Sequence, residues 1–204
     1  MHLRRRSKLI RAPIANVIVV EGKKREVRYF EQAVFASKGP GYWTVVSADG
    51  GDPKSLLRAI QAEIANADRV YVVFDADRMP PRCSVSETET WETVVKLTMS
   101  RDPQVHLIPS YPCIEIWFLW HLTDDLPDPI QAEAGAYTSQ SPPFRKRLLE
   151  LMPQLDKQPI EDWRALFPNL GKACERARKA RTAAVRPDIW SDIDLLIRAL
   201  ELEM

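Results

Sequence analysis

The chain has 204 residues, enough for one substantial domain with its own hydrophobic core and short of the length at which chains commonly divide. Apolar residues make up 45% and charged residues 28%, an ordinary globular balance that excludes a disordered or fibrous chain. Lys and Arg number 29 against 28 Asp and Glu, so with a net charge of +1 no global basic field marks a nucleic-acid binder, and any such role rests on local sites.

The chain begins with a basic arm, in which Arg4, Arg5, Arg6, Lys8 and Arg11 have no acid among them. Arg11 and Pro13 interrupt the apolar run that an export signal needs, so export is not expected. Four short runs rich in β-branched and aromatic residues follow: Val17 to Val20, Trp43 to Val46, Val70 to Phe74 and Val105 to Ile108. They are predicted strands. Between them, Arg25 to Lys38, Pro53 to Asn66 and Glu87 to Arg101 carry apolar residues at helical spacing, with Pro53 suited to a first helical turn. Strands alternating with helices at this interval predict βαβ units: an open α/β sheet of parallel strands flanked by helices.

Cys113 to Leu122 is too short to span a bilayer and is broken by Glu115 and His121, so no membrane crossing is expected. Cys83, Cys113 and Cys174 are odd in number and far apart, which suits a reducing, cytoplasmic setting and neither a disulfide framework nor a CxxC metal site. From Thr123 the breakers Asp124, Asp125, Pro127, Asp128, Pro129 and Gly135 replace apolar periodicity. Beyond them Phe144 to Met152, Leu170 to Arg181 and Asp188 to Leu202 are predicted helices. The expected organisation is an α/β core with its basic arm over 1–122, a linker or variable insertion over 123–142, and a helical region packing on the core over 143–204.

In open α/β sheets, ligands bind at the carboxyl ends of the strands. Glu21-Gly22 follows the first predicted strand, Asp49-Gly50-Gly51-Asp52 the second, Asp75-Ala76-Asp77 the third, and Ser110 then Glu115 the fourth. Asp75 and Asp77, two apart on an extended run, point to one side, and Glu21 joins them if the first and third strands are neighbours. Three such oxygen donors suit Mg²⁺ or Mn²⁺ and phosphoryl transfer. Asp-x-Asp equally suits a solvated turn or helix cap, and Glu21 equally suits a helix N-terminus.

Glu115 stands among Ile, Trp, Phe and Leu, so its carboxylate requires a metal, a cation or helix amides, or else caps a neighbouring element. His121 falls off the Glu115 face and reads as a satisfied core residue. Lys23 and Lys24 are candidates to steady a substrate phosphate, as are Asp52 and Ser110 for substrate binding at the strand ends. Lys172, Arg176 and Lys179, with Arg178 and Arg181 beside them, form either a phosphate track or a solvated helix face. No GxxxxGK[ST], GxGxxG or Ser-His-Asp pattern is present.

The ordered pair of Glu-Gly and Asp-x-Asp resembles the Toprim fold of topoisomerases, primases and related nucleases, and the chain is most similar to RloB-like proteins. The residues concerned are Val19-Val20-Glu21-Gly22 with Glu26 and Tyr29-Phe30, Gly51-Asp52-Pro53 with Ser55-Leu56, Val72 to Asp77, and Ser110 to Trp117 leading to His121. Arg25 stands where the family usually has Thr, and Tyr111 where it usually has Asn.

The resemblance implies a Toprim-like core and a role in phage defence beside a partner ATPase. It makes Glu21, Asp75 and Asp77 the acids that bind metal and act in catalysis, and Glu115 a further motif residue. The function expected is a Mg²⁺-dependent nuclease acting on DNA or RNA, in which Glu115 tunes or completes the catalytic site. A non-catalytic sensor or regulator of an ATPase complex is the alternative, and a domain using Asp75 as phosphoacceptor is a third reading without a clear fingerprint. Oligomeric state stays open.

Overall fold

A computed structural model describes residues 13–49, 53–76, 103–127, 142–157, 162–182 and 189–201. In chain order these form β1 (Ala15–Val20), α1 (Arg25–Ala36), β2 (Tyr42–Ser47), α2 (Pro53–Ile64), β3 (Arg69–Asp75), β4 (Val105–Tyr111) and α3 (Glu115–Leu122). Then come α4 (Pro142–Leu151), α5 (Gln154–Lys157), a 3-10 helix (Trp163–Asn169), α6 (Leu170–Thr182), β5 (Trp190–Ser191) and α7 (Ile193–Ala199). The expected helix over 87–101 lies outside the described residues, as do the basic arm and most of the expected linker.

The sheet runs β2-β1-β3-β4-β5, with the first four strands parallel and β5 antiparallel to β4. Strands of a parallel sheet are buried on both faces, and the Val-Ile-Val-Val run of β1 meets that demand. Val17 and Val19 pack with Leu56 and Ile60 of α2, whereas Ile18 and Val20 pack with Tyr29, Phe30 and Ala33 of α1 and with α3 and the late helices. The helices that follow β1 and β2 therefore cover opposite faces. The path turns one way from β1 to β2 and the other way to β3, leaving a crevice between the carboxyl ends of β1 and β3.

The tail departs from the sequence expectation at several points, among them the short helix α5. Asp188 to Leu202 reads as one helix, but Trp190 and Ser191 extend the sheet and the helix starts only at Ile193. Ser191 and Ser110 share a hydroxyl hydrogen bond of 2.8 Å, and the Asp192 amide donates to Pro109 O at 2.9 Å. Helical periodicity does not register a two-residue pairing with a distant strand. The 3-10 helix was likewise not anticipated; Asp162 opens it by accepting from the Arg164 amide at 3.0 Å. Among the described residues no helix is long and apolar enough to cross a membrane.

A chain of hydrogen bonds crosses the core. His121 Nδ1 lies 2.9 Å from Leu166 O, and a carbonyl only accepts, so Nδ1 carries the proton and Nε2 is the acceptor. Tyr29 therefore donates its hydroxyl to Nε2 at 3.2 Å, and accepts from Trp117 Nε1 at 2.8 Å. This ties α1, α3 and the 3-10 helix together with every member satisfied, and His121 is the core residue that its position suggested. At the other end of α6, Arg181 grips fully buried Asp194 of α7 through two bonds of 2.5 and 2.8 Å.

Burial holds the His121 pKa down to about 4, against an ordinary 6.5. The unfolded chain therefore takes up more protons between those values, and stability is lost as pH falls through that window. Urea unfolding from neutral pH down to about 4 should show His121→Gln losing roughly 1 to 3 kcal/mol less than the parent chain. Equal acid sensitivity in the two proteins would show that His121 is not buried as a neutral ring.

Candidate functional site

The β1–β3 register sets Val20 beside Val73, so the residue that follows β1 meets the end of β3. The Glu21 amide donates to Val73 O at 3.1 Å, and the Glu21 carboxylate accepts from the Asp75 amide through Oε2 at 3.0 Å. Asp75 in turn accepts from the Ile114 amide through Oδ1 at 2.9 Å, one residue before α3 begins. Its carboxylate thus lies at the amino end of α3, where unpaired amides and the helix dipole favour negative charge. Three elements, β1, β3 and α3, are bound to one another through two carboxylates. The crevice they frame is a cavity of about 260 Å³ lined by Glu21, Gly22, Lys23, Glu26, Val73, Phe74, Asp75 and Ile114.

Glu26 belongs to this lining but was not among the site residues expected from sequence. An acid in the first turn of a helix has an ordinary explanation in the helix dipole, and that masks any second role. Gly22 carries the signal instead. A Cβ at residue 22 would fall 1.7 Å from Glu26 Oε2, so the absent side chain is what admits the Glu26 carboxylate.

Glu115 opens α3 with its side chain 15% exposed, and Arg25 Nη1 stands 3.8 Å away as its cation. The partner that a carboxylate in so apolar a segment requires is therefore Arg25.

Four acids share this neighbourhood. Burial, then the charges of Glu115 and Glu21, push the Asp75 pKa well above the usual carboxylate range, against the lowering effect of the Ile114 amide. Burial likewise raises Glu26, with Glu115 and Glu21 adding to the rise and its own amide and Arg25 opposing it. Crowded, partly desolvated carboxylates create a negative potential that a hard divalent cation relieves, and all-oxygen donors suit Mg²⁺ or Mn²⁺. The donor chemistry fits such an ion. Among the described residues no group of three His, Cys, Asp or Glu side chains is spaced to hold one, and Asp77, the third acid expected from sequence, lies outside them.

The remaining candidates separate. Lys23 is exposed at the crevice and loosely paired with Asp49 at 3.9 Å, and Lys24 is exposed beside it. Ser110 is fully buried against Ser191 and does not line the cavity. Asp52 lies outside the described residues, as do Gly50 and Gly51. On α6, Arg176 is bonded to Asp124 and to Trp120 O, Lys179 to Glu175 at 2.7 Å, and Arg181 to Asp194. Arg176 and Arg181 hold the helix to its surroundings and Lys179 pairs along the helix itself, while Lys172 and Arg178 are exposed charges of that cluster.

A family model described as RloB-like protein matches residues 16–200. No curated protein and no solved structure matches the chain.

Asp75→Asn keeps an acceptor for the Ile114 amide and removes one charge. A folded-state pKa above the ordinary 3.8 stabilises the fold below that value, and the contribution is lost as pH rises through the raised one. In EDTA at neutral pH the variant should therefore be more stable than the parent by on the order of 1 kcal/mol, with the gain shrinking on acidification. Thermal unfolding across pH checks this; a variant less stable than the parent at neutral pH would contradict the crowding of charge.

Proposed function

The chain belongs to the RloB-like protein family, and from that membership and the acidic crevice we propose that it is a Mg²⁺-dependent nuclease. The observation that carries the reading is the meeting of Glu21 and Asp75 at the β1–β3 crevice, joined by the Asp75 amide, with Glu26 and Glu115 adding charge around them. An open parallel sheet with acids at its carboxyl ends also supports a Toprim-like core. Glu21, Asp75 and Asp77 would hold the ion, which when bound offsets charge on phosphate oxygens and makes water a better nucleophile.

The chain's own groups supply the rest. Lys23, at the crevice mouth, orients the phosphate by its charge. Glu115, held by Arg25, keeps the crevice negative and fixes the start of α3, whose preceding amide orients Asp75. Val73, Phe74 and Ile114 form an apolar wall that limits water around the reacting phosphate. We place the activity in phage defence beside a partner ATPase, as the likeness to RloB-like proteins implies.

The test is cleavage of DNA and RNA by the purified chain with Mg²⁺ or Mn²⁺. Asp75→Asn and Asp77→Asn should each lower the rate by about a hundredfold or more while retaining the parent's circular dichroism. Cleavage at the parent's rate by either variant, or cleavage that persists in EDTA, would overturn the assignment. A chain inert with every divalent ion, yet altering its partner's ATP turnover, would identify a regulatory subunit instead.

A further inference from the structure

Beside the acidic crevice, and sharing Lys23 with it, lies a second cavity of about 430 Å³ lined by Lys23, Lys24, Val27, Arg28 and Glu31. Three cations and one acid make its lining positive, in contrast to the crevice next to it. Lys24 and Arg28 stand four residues apart, joined by a hydrogen bond of 3.1 Å from the Arg28 amide to Lys24 O, so their side chains rise from one face about a turn apart. Both are exposed, and among the described residues neither makes an ion pair. This differs from α6, where Arg176, Lys179 and Arg181 have acidic partners within the fold.

We propose that this basic cavity is a subsite for a backbone phosphate of a nucleic-acid strand whose neighbouring phosphate enters the acidic crevice, an inference that rests on the nuclease reading. A small phosphoester carries its charge at the reacting group and fills one cavity. Two adjoining cavities, linked through Lys23, match a ligand with successive phosphates, and Val27 gives the second cavity an apolar wall suited to a sugar. The substrate class is therefore a polynucleotide, held first by its backbone and only then presented to the carboxylates. Because the contacts are to phosphate, the site reads no sequence.

The experiment is fluorescence anisotropy of labelled single-stranded DNA and RNA oligonucleotides of mixed sequence, with the full chain, in Ca²⁺ and again in EDTA. The Lys24→Glu/Arg28→Glu double variant should bind at least about tenfold more weakly than the parent. The slope of log affinity against log salt should fall by about 0.7 in magnitude, as the loss of one phosphate contact on a single strand requires. Both substituted residues are exposed, and circular dichroism confirms that the variant folds. Arg145→Glu/Lys146→Glu, at two exposed residues of α4, is the charge-matched control and should bind as the parent does.

Tighter binding of DNA or of RNA supports the subsite and identifies the sugar. Equal binding by parent and double variant, loss of binding in the control, or a parent that binds neither strand overturns it. The two readings fail separately: if the double variant's deficit persists in EDTA while no divalent ion supports cleavage, the subsite stands and the nuclease assignment falls.

Discussion

The bond from the Asp75 amide to the Glu21 carboxylate is the constraint on which the site depends. It spans two parallel strands whose flanking helices α1 and α2 lie on opposite faces of the sheet, at the place where the chain path reverses direction across the sheet. A second bond, from the Ile114 amide to Asp75, carries the same constraint to α3. Through α3 it reaches the core, because Trp117 and His121 of that helix are tied to Tyr29 of α1. The position of two carboxylates is thus set by backbone amides and by a satisfied core network rather than by flexible side-chain contacts.

Such an arrangement is costly to the fold. Carboxylates gathered in a partly desolvated crevice lose hydration and repel one another, and the raised pKa of Asp75 and Glu26 expresses burial first and that repulsion second. The Ile114 amide and Arg25 offset part of it from within the chain. Elsewhere the structure compensates with dense packing of Trp117, Phe118, Phe144 and Trp163 and with the buried Asp194 carboxylate, which is gripped by Arg181 and faced by Arg198. Local charge strain on a firmly packed scaffold is what an electrostatic site for a cationic or phosphate-bearing ligand requires.

Much of this was legible in the sequence, for physical reasons that differ by residue. Val17 to Val20 and Val70 to Phe74 read as strands because β-branched runs of that length suit a sheet buried on both faces, and Glu21 and Asp75 followed from the rule for strand ends. Ser110 shows the limit of that rule. It ends a strand as expected, yet it shares a face with Ile108, which packs under the helices, so its hydroxyl turns to Ser191 and not to the crevice. Glu26 was obscured by the ordinary preference for acids in a first helical turn, and Trp190–Ser191 by being too short to leave a periodic signal. The Arg25–Glu115 pair joins residues 90 positions apart, a proximity that only the packing of α1 beside α3 creates. Asp77 and Asp52 lie outside the described residues and keep the standing of expectations.

The most direct measurement is anomalous X-ray scattering from a crystal of the full chain soaked in Mn²⁺. The account predicts a manganese peak at the carboxyl ends of β1 and β3, with oxygens of Glu21 and Asp75 at about 2.2 Å, and an oxygen of Asp77 joining them. A crystal with manganese elsewhere and none at these acids, or with Glu21 and Asp75 turned away from a common centre, would contradict it.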